Sequence, residues 1–215
     1  MSTQLSGGVE VAAQGLFAQS ADALHVVGDL VYSNDGRAYR YAKAGGTALV
    51  VGTLLQAAAQ VTGDQNLTAV AAAVGSTTLV STTTVTVTAN QYAGGYALIT
   101  VTPGVGYMYR ISGHAAFTAA APTFTLDDAI QVALTTSSRI DLIKNAHDSV
   151  IINPATASSA PVGVAIYPIT AAYFGWVQVG GIANILADGA ITTGTNVIAS
   201  NATAGAIEPG ADAAD

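Results

Sequence analysis

Three histidines, His25, His114 and His147, are the side chains best suited to move a proton near neutral pH or to hold a transition metal. They lie far apart and lack the HExxH spacing that sets two ligands on one helix face. His114 follows Ser112-Gly113 and His147 sits in Asn145-Ala146-His147-Asp148, so both are expected at turns or at the surface. Ser76 follows Gly75 but precedes Thr77-Thr78, which is not the GxSxG of a nucleophile elbow. Gly104-Val105-Gly106 has no helix after it and does not form a dinucleotide loop. Asp127-Asp128 could supply paired carboxylates. A calcium loop needs several oxygen ligands at fixed spacing, however, and this pair reads as a turn. Tyr39, Tyr41, Phe174 and Trp176 could stack on a sugar, but a sheet needs such rings for its core and cross-strand pairs, and core is the expectation. The residues therefore point to no enzyme, no cofactor and no metal site.

The composition agrees with a protein that works by contact. Only 9% of the 215 residues are charged, against about 25% in ordinary globular chains. Hydrophobic residues make up 51%, and Gly occurs 23 times. Disorder requires the opposite balance. No stretch approaches the ~20 apolar residues of a spanning helix, so no membrane partner is expected. Cysteine is absent, which excludes a disulfide framework and a thiolate metal site. The net charge is -7, and only Arg37, Arg40 and Lys43 cluster. A nucleic-acid binder needs a basic stripe, so direct genome binding is not expected. Free monomers stay dispersed partly through charge, and a surface this poor in charge suggests that much of it meets other protein.

The elements that position these residues read as strands. Val26–Tyr32 ends at Ser33-Asn34-Asp35-Gly36, a turn that supplies positive φ, and Arg37–Tyr41 alternates with Tyr39 and Tyr41 on one face. Thr47–Leu55 reads as a short apolar strand. The Ala-rich stretch of residues 59–75 reads as a connector, either a short helix or a loop. Thr82–Ala89 alternates with a threonine face. Strands are also expected over Tyr96–Thr102, Tyr107–Ser112, Leu126–Leu134, Ile140–Ile143, Val150–Ile152 and Val162–Ile169. Residues 1–24 show no period and are expected to be an extended arm. Its Leu5, Val9, Val11, Leu16 and Phe17, with the basic Arg37, Arg40 and Lys43, are the candidate partner contacts.

One internal repeat is visible. Val27-Gly28-Asp29-Leu30-Val31-Tyr32 and Val162-Gly163-Val164-Ala165-Ile166-Tyr167 stand 135 residues apart. The same offset sets Tyr39 on Phe174, Tyr41 on Trp176, and Gly45-Gly46 on Gly180-Gly181. One such unit cannot bury its own apolar face, so the copies are expected to pack together. The chain is therefore expected to be mainly β. Residues 25–58 and 160–210 would form a small β-barrel or sandwich, and residues 76–158 an inserted β-subdomain.

Ile130–Leu142, Pro161–Ala165, Tyr173–Gln178 and Gly180-Gly181, with Gly106–Ile111 and Asp35–Gly45, resemble a group of tailed-bacteriophage virion structural proteins. The resemblance covers residues 25–205 and carries no catalytic residue. It implies a capsid decoration (cement) protein that sits on the outside of the head, often as a homotrimer, with the major capsid protein as partner. The pattern does not separate head from tail. A tail or head-fibre component, and a carbohydrate-binding module using Trp176, remain the alternatives.

Overall fold

The computed structural model describes Leu5–Ser6 (backbone only), residues 14–82, 85–118 and 120–210. Val9 and Val11 lie outside them. The described chain is mainly β, with a single 3-10 turn at Thr62–Asp64 and no longer helix.

The chain divides into two compact units, residues 1–59 with 146–215, and Gln60–Asn145. Unit 1 begins with β1 (Leu5–Ser6), β2 (Gln19–Ser20), β3 (Leu30–Ser33), β4 (Ala38–Lys43) and β5 (Leu54–Gln56). Unit 2 carries β6 (Leu67–Thr68), β7 (Thr78–Val80), β8 (Thr86–Val87), β9 (Tyr96–Val101), β10 (Met108–His114), β11 (Phe117–Thr118), β12 (Thr123–Leu126) and β13 (Arg139–Ile143). The chain then returns to unit 1 with β14 (Ile151–Ile152), β15 (Pro161–Ala165), β16 (Phe174–Gly180), β17 (Val197–Ala199) and β18 (Ile207–Pro209). The expected connector is not a linker: from Gln60 onward it belongs to unit 2, and Leu67–Thr68 pairs with β13.

In unit 1 the main sheet runs β1-β3-β4-β16-β15-β5-β14, with β2 also on β16. β3 and β4 form the hairpin that the Asp35-Gly36 turn requires, with Gly36 at φ 85°. The central strand β4 is buried on both faces. Tyr39 and Tyr41 join Leu16, Val31 and Trp176 on one side. Ala42 and Ala44 join Leu49, Leu55, Val150, Ala165, Ile169 and Val177 on the other. The sheet curls: Val150, beside the edge strand β14, forms a parallel bridge to Ala44 at the end of β4.

The repeat lies at the centre of this sheet. β4 and β16 pair antiparallel with Tyr41 opposite Trp176, so residues equivalent in sequence face each other across a local two-fold. The hairpins differ in register. Leu30 pairs with Arg40, whereas Ala165, its counterpart, pairs with Val177 rather than Gly175. A shift of two preserves the faces of both strands. It leaves the start of β16 open on that side, and β2 fills it, with Gln19 opposite Gly175.

Unit 2 has a six-stranded antiparallel sheet among the described residues, ordered β6-β13-β9-β10-β12-β7. Its two edge strands are themselves joined. Ala69 bridges Ser81, Val70 N–H donates to Val80 O at 2.8 Å, and Thr82 N–H donates to Thr68 O at 2.9 Å. The strands thus form a closed ring of hydrogen-bonded neighbours, an arrangement that leaves no open edge. Period-two alternation sends Ala97 and Ile99 of β9 inward, with Tyr109, Ile111, Phe124, Ile140 and Leu142.

Several expected strands are shorter than the pattern suggested: strand begins only at Leu30 in the first, covers Thr86–Val87 in the described part of Thr82–Ala89, and ends at Ala165 in the stretch expected to run to Ile169. Between Thr47 and Leu55 only the end is strand, and Val50-Val51 form an exposed turn. Between Leu126 and Leu134 no further strand forms, but buried Ile130 and Leu134 are held by backbone pairing as well: Leu134 bridges Ala72, with hydrogen bonds in both directions, and Ile130 N–H donates to Ser76 O at 2.8 Å.

Candidate interaction surfaces

Residues 14–24 do not form a free arm. Leu16 is 5% exposed and sits in the aromatic cluster, so it is removed from the candidate contacts. Gln14 holds this segment down with both ends of its amide. Its Oε1 accepts from the Tyr41 hydroxyl at 2.7 Å, and its Nε2 donates to Ala18 O and Phe174 O. Its carbonyl accepts from Trp176 Nε1 at 3.1 Å. The buried polar tips of two core aromatics are thereby satisfied by one residue, as buried polar groups require. Leu5 is described only as backbone, in β1, paired with Ser33.

The basic residues are engaged locally. Arg37 Nε lies 2.7 Å from Asp35 Oδ2, and its guanidinium sits 5.7 Å from the Tyr39 ring centroid. The Ser33 hydroxyl first, and Arg37 after it, hold the Asp35 carboxyl below the usual carboxylate range. Arg40 Nη1 donates to Gly28 O at 2.6 Å. Lys43 Nζ stands 5.5 Å from the Phe174 ring centroid. The three share a stretch of sequence but not a single free patch.

His25 and His147 are half-buried, and His147 lies in a turn as expected. His114 is buried in unit 2. Its Nε2 accepts from Tyr92 N–H at 3.0 Å, and its Nδ1, 2.8 Å from Ala115 O, is placed to donate to that carbonyl. The sequence placed it at a strand end, which is right, but the strand end is inside. His25 packs its ring 5.1 Å from both Tyr41 and Trp176. Burial, and then the charge of Arg40, push the His147 imidazole down to about 4. Among the described residues no group of three or more His, Asp or Glu side chains is placed to hold a metal. Asp127 pairs with Arg110 at 2.6 Å. Trp176, Tyr39 and Tyr41 are fully buried, so a sugar-stacking platform built on Trp176 is excluded.

One concave feature gathers several of the exposed apolar side chains. Unit 1 carries a groove of about 500 Å³ lined by Phe17, Val51, Ile166 and Ile182, with Arg37 and Gln178 at its sides. Phe17 is 59% exposed, Val51 56% and Ile182 92%. The Ile182 loop is held out by the protein itself. Gln178 is buried, and its Nε2 donates to Gly180 O at 3.0 Å and to Ile182 O at 2.8 Å. Gly181 stands at φ 79°, and a Cβ there would lie 3.0 Å from Arg37 Cα. A residue with a side chain would therefore be strained and crowded at that position.

The groove gathers two expected contact residues, Phe17 and Arg37, and adds Val51 and Ile182, which sequence reasoning passed over. A bulky aliphatic directly after Gly180-Gly181 and before Ala183-Asn184 was the available signal for Ile182. Gln14 and Gln178 gave none, because an isolated glutamine reads as surface.

No family model, curated protein or solved structure matches the chain. The site must be read from its own geometry.

Proposed function

We propose that this chain is a non-enzymatic structural protein of a tailed-phage virion, a capsid decoration (cement) protein that binds the outside of the head. The observation that carries the reading is the combination of sparse charge with projecting apolar side chains. Single exposed hydrophobics are ordinary. Here, however, Phe17, Val26, Val51, Val74, Val105, Met108 and Ile182 all stand more than half exposed on a chain with 9% charged residues. A freely diffusing monomer lacks the charge to offset that surface. A subunit covered by neighbours does not need it.

In this reading unit 1 is a small barrel made from both ends of the chain, with residues 60–145 inserted as a second β body. The partners are the major capsid protein and further copies of the chain, as a homotrimer. Each protomer need bury only about 800 Å² on its partner. Joining several such contacts in one assembly multiplies affinity through effective concentration. A protein that binds the expanded shell and not its precursor stabilises the expanded state by mass action, without catalysis.

Adding purified protein to heads that lack it tests this. The reading expects saturable binding and a higher shell melting temperature. Absence of binding to expanded heads would refute it.

A further inference from the structure

We propose that the groove of unit 1 is a self-association surface, with Ile182 of one copy seated in the groove of the next. The inference deepens the virion reading and rests on it for the setting, but its geometry belongs to unit 1 alone.

The argument begins with the loop. A side chain 92% exposed at the tip of a turn is normally mobile and polar, yet this one is Ile182. The loop backbone is fixed by hydrogen bonds from buried Gln178 to Gly180 O and Ile182 O and by the close seat of Gly181 on Arg37. The protein thus holds an aliphatic knob rigid in solvent, and a rigid anchor loses little entropy on docking. The knob stands at the edge of the groove and lines part of it. The groove is apolar at Phe17, Val51 and Ile166, and its volume of about 500 Å³ accommodates an isoleucine with its flanking residues.

Charge does not oppose a second copy as the occupant, and the shared surface of knob and groove favours one. The ionisable group in the lining is Arg37, and Asp35 sits 2.7 Å from it. The rim therefore offers one cation and one anion side by side. The two are paired within one copy, so the rim carries no net charge that would repel a second copy. It offers no net charge to select a strongly charged partner. Knob and groove occupy one surface, so a symmetry axis beside the rim brings both into contact in every copy. An apolar anchor filling a desolvated pocket is what a small number of dominant interface residues look like.

The experiment is the mass of the purified full chain, by light scattering and sedimentation at micromolar concentrations without any shell present. The expected result is an oligomer for the wild type. Ile182→Asp and, separately, Val51→Asp should each weaken self-association by about tenfold or more with an unchanged near-ultraviolet spectrum. Val105→Asp, an exposed site in unit 2, should leave the mass unaltered. A monomeric wild type overturns the proposal, as does an Ile182→Asp variant that keeps the wild-type mass, or a Val105→Asp variant that dissociates equally. A monomer that still binds heads would overturn self-association and leave the virion reading standing. An oligomer that binds no head would do the reverse.

Discussion

Tyr41 and Trp176 stand opposite each other across the β4–β16 ladder, 5.1 Å between ring centroids, and both hydrogen-bond to Gln14. They are also equivalent positions of the internal repeat. The core of unit 1 is thus organised around a pair that the sequence relates by a constant offset, sealed by a segment that belongs to neither copy.

Gln14 is expected to matter more than its place near the N-terminus suggests. Gln14→Ala removes the acceptor of the buried Tyr41 O–H, leaving that hydroxyl the bond it accepts from Leu24 N–H, and frees the segment from Phe174 O. Leaving a buried group unsatisfied costs about 1–3 kcal/mol. Urea unfolding followed by tryptophan fluorescence measures this cleanly, because the chain has one tryptophan and it lies in this cluster. A loss below about 0.5 kcal/mol would show that Gln14 does not seal the core.

Removal of residues 1–24 should lower the unfolding midpoint of unit 1. The deletion takes away Leu16, Gln14 and β2, which pairs with β16. Truncating a buried leucine alone costs about 2–5 kcal/mol. An unaltered Trp176 emission and midpoint would restore the expectation of a free arm.

His147 gives a pH dependence with a definite sign. Its folded value is lowered to about 4 from an ordinary 6.5, so the unfolded chain binds the extra proton between those values. Stability from this group is complete above about pH 6.5 and is lost as the pH falls toward 4. A shift of that size sets an upper limit of about 3 kcal/mol, and partial exposure reduces the expectation to about 1–2 kcal/mol. His147→Gln should flatten this window when melting is compared at pH 4.5 and 7. Equal acid sensitivity in wild type and variant would contradict the assignment.

Unit 2 should fold alone. Residues 60–145 form one continuous stretch with a closed strand ring and their own core. The fragment is expected to melt cooperatively, and Phe124→Ala should destabilise it by about 3–5 kcal/mol, because Phe124 is fully buried among Tyr92, His114 and Phe117. A fragment that shows no cooperative transition would refute the division at Gln60.

How much of this was legible depends on the kind of signal. The β-branched and aromatic run Tyr96–Thr102 marked β9, and the Asp35-Gly36 turn marked the β3–β4 hairpin, because both are local and the physics that fixes them acts over a few residues; the period-two pattern of Thr82–Ala89 yielded strand only at Thr86–Val87 among the described residues. The offset of 135 residues found the Tyr41–Trp176 relationship, since a repeat carries long-range pairing in its spacing. The closure of unit 2 was not legible. Its bridge joins Ala69 to Ser81, two small residues with no distinctive pattern, and depends on backbone hydrogen bonds that any sequence can make. The boundary at Gln60 was missed for the same reason: an Ala-rich stretch looks like a connector unless the pairing partner, here β13, is known. The groove was half visible, in Phe17 and Arg37, because exposed apolar residues announce themselves only once the core has been assigned.

The account stands on the claim that this chain is a working part of an assembled particle. Its most direct test is the protein composition of virions purified from a host carrying the gene, with the chain quantified against the major capsid protein by mass spectrometry. The account expects the chain on the particles in fixed proportion to the capsid protein, retained through density-gradient sedimentation. A chain that stays wholly in the soluble fraction while complete virions form without it would contradict the account.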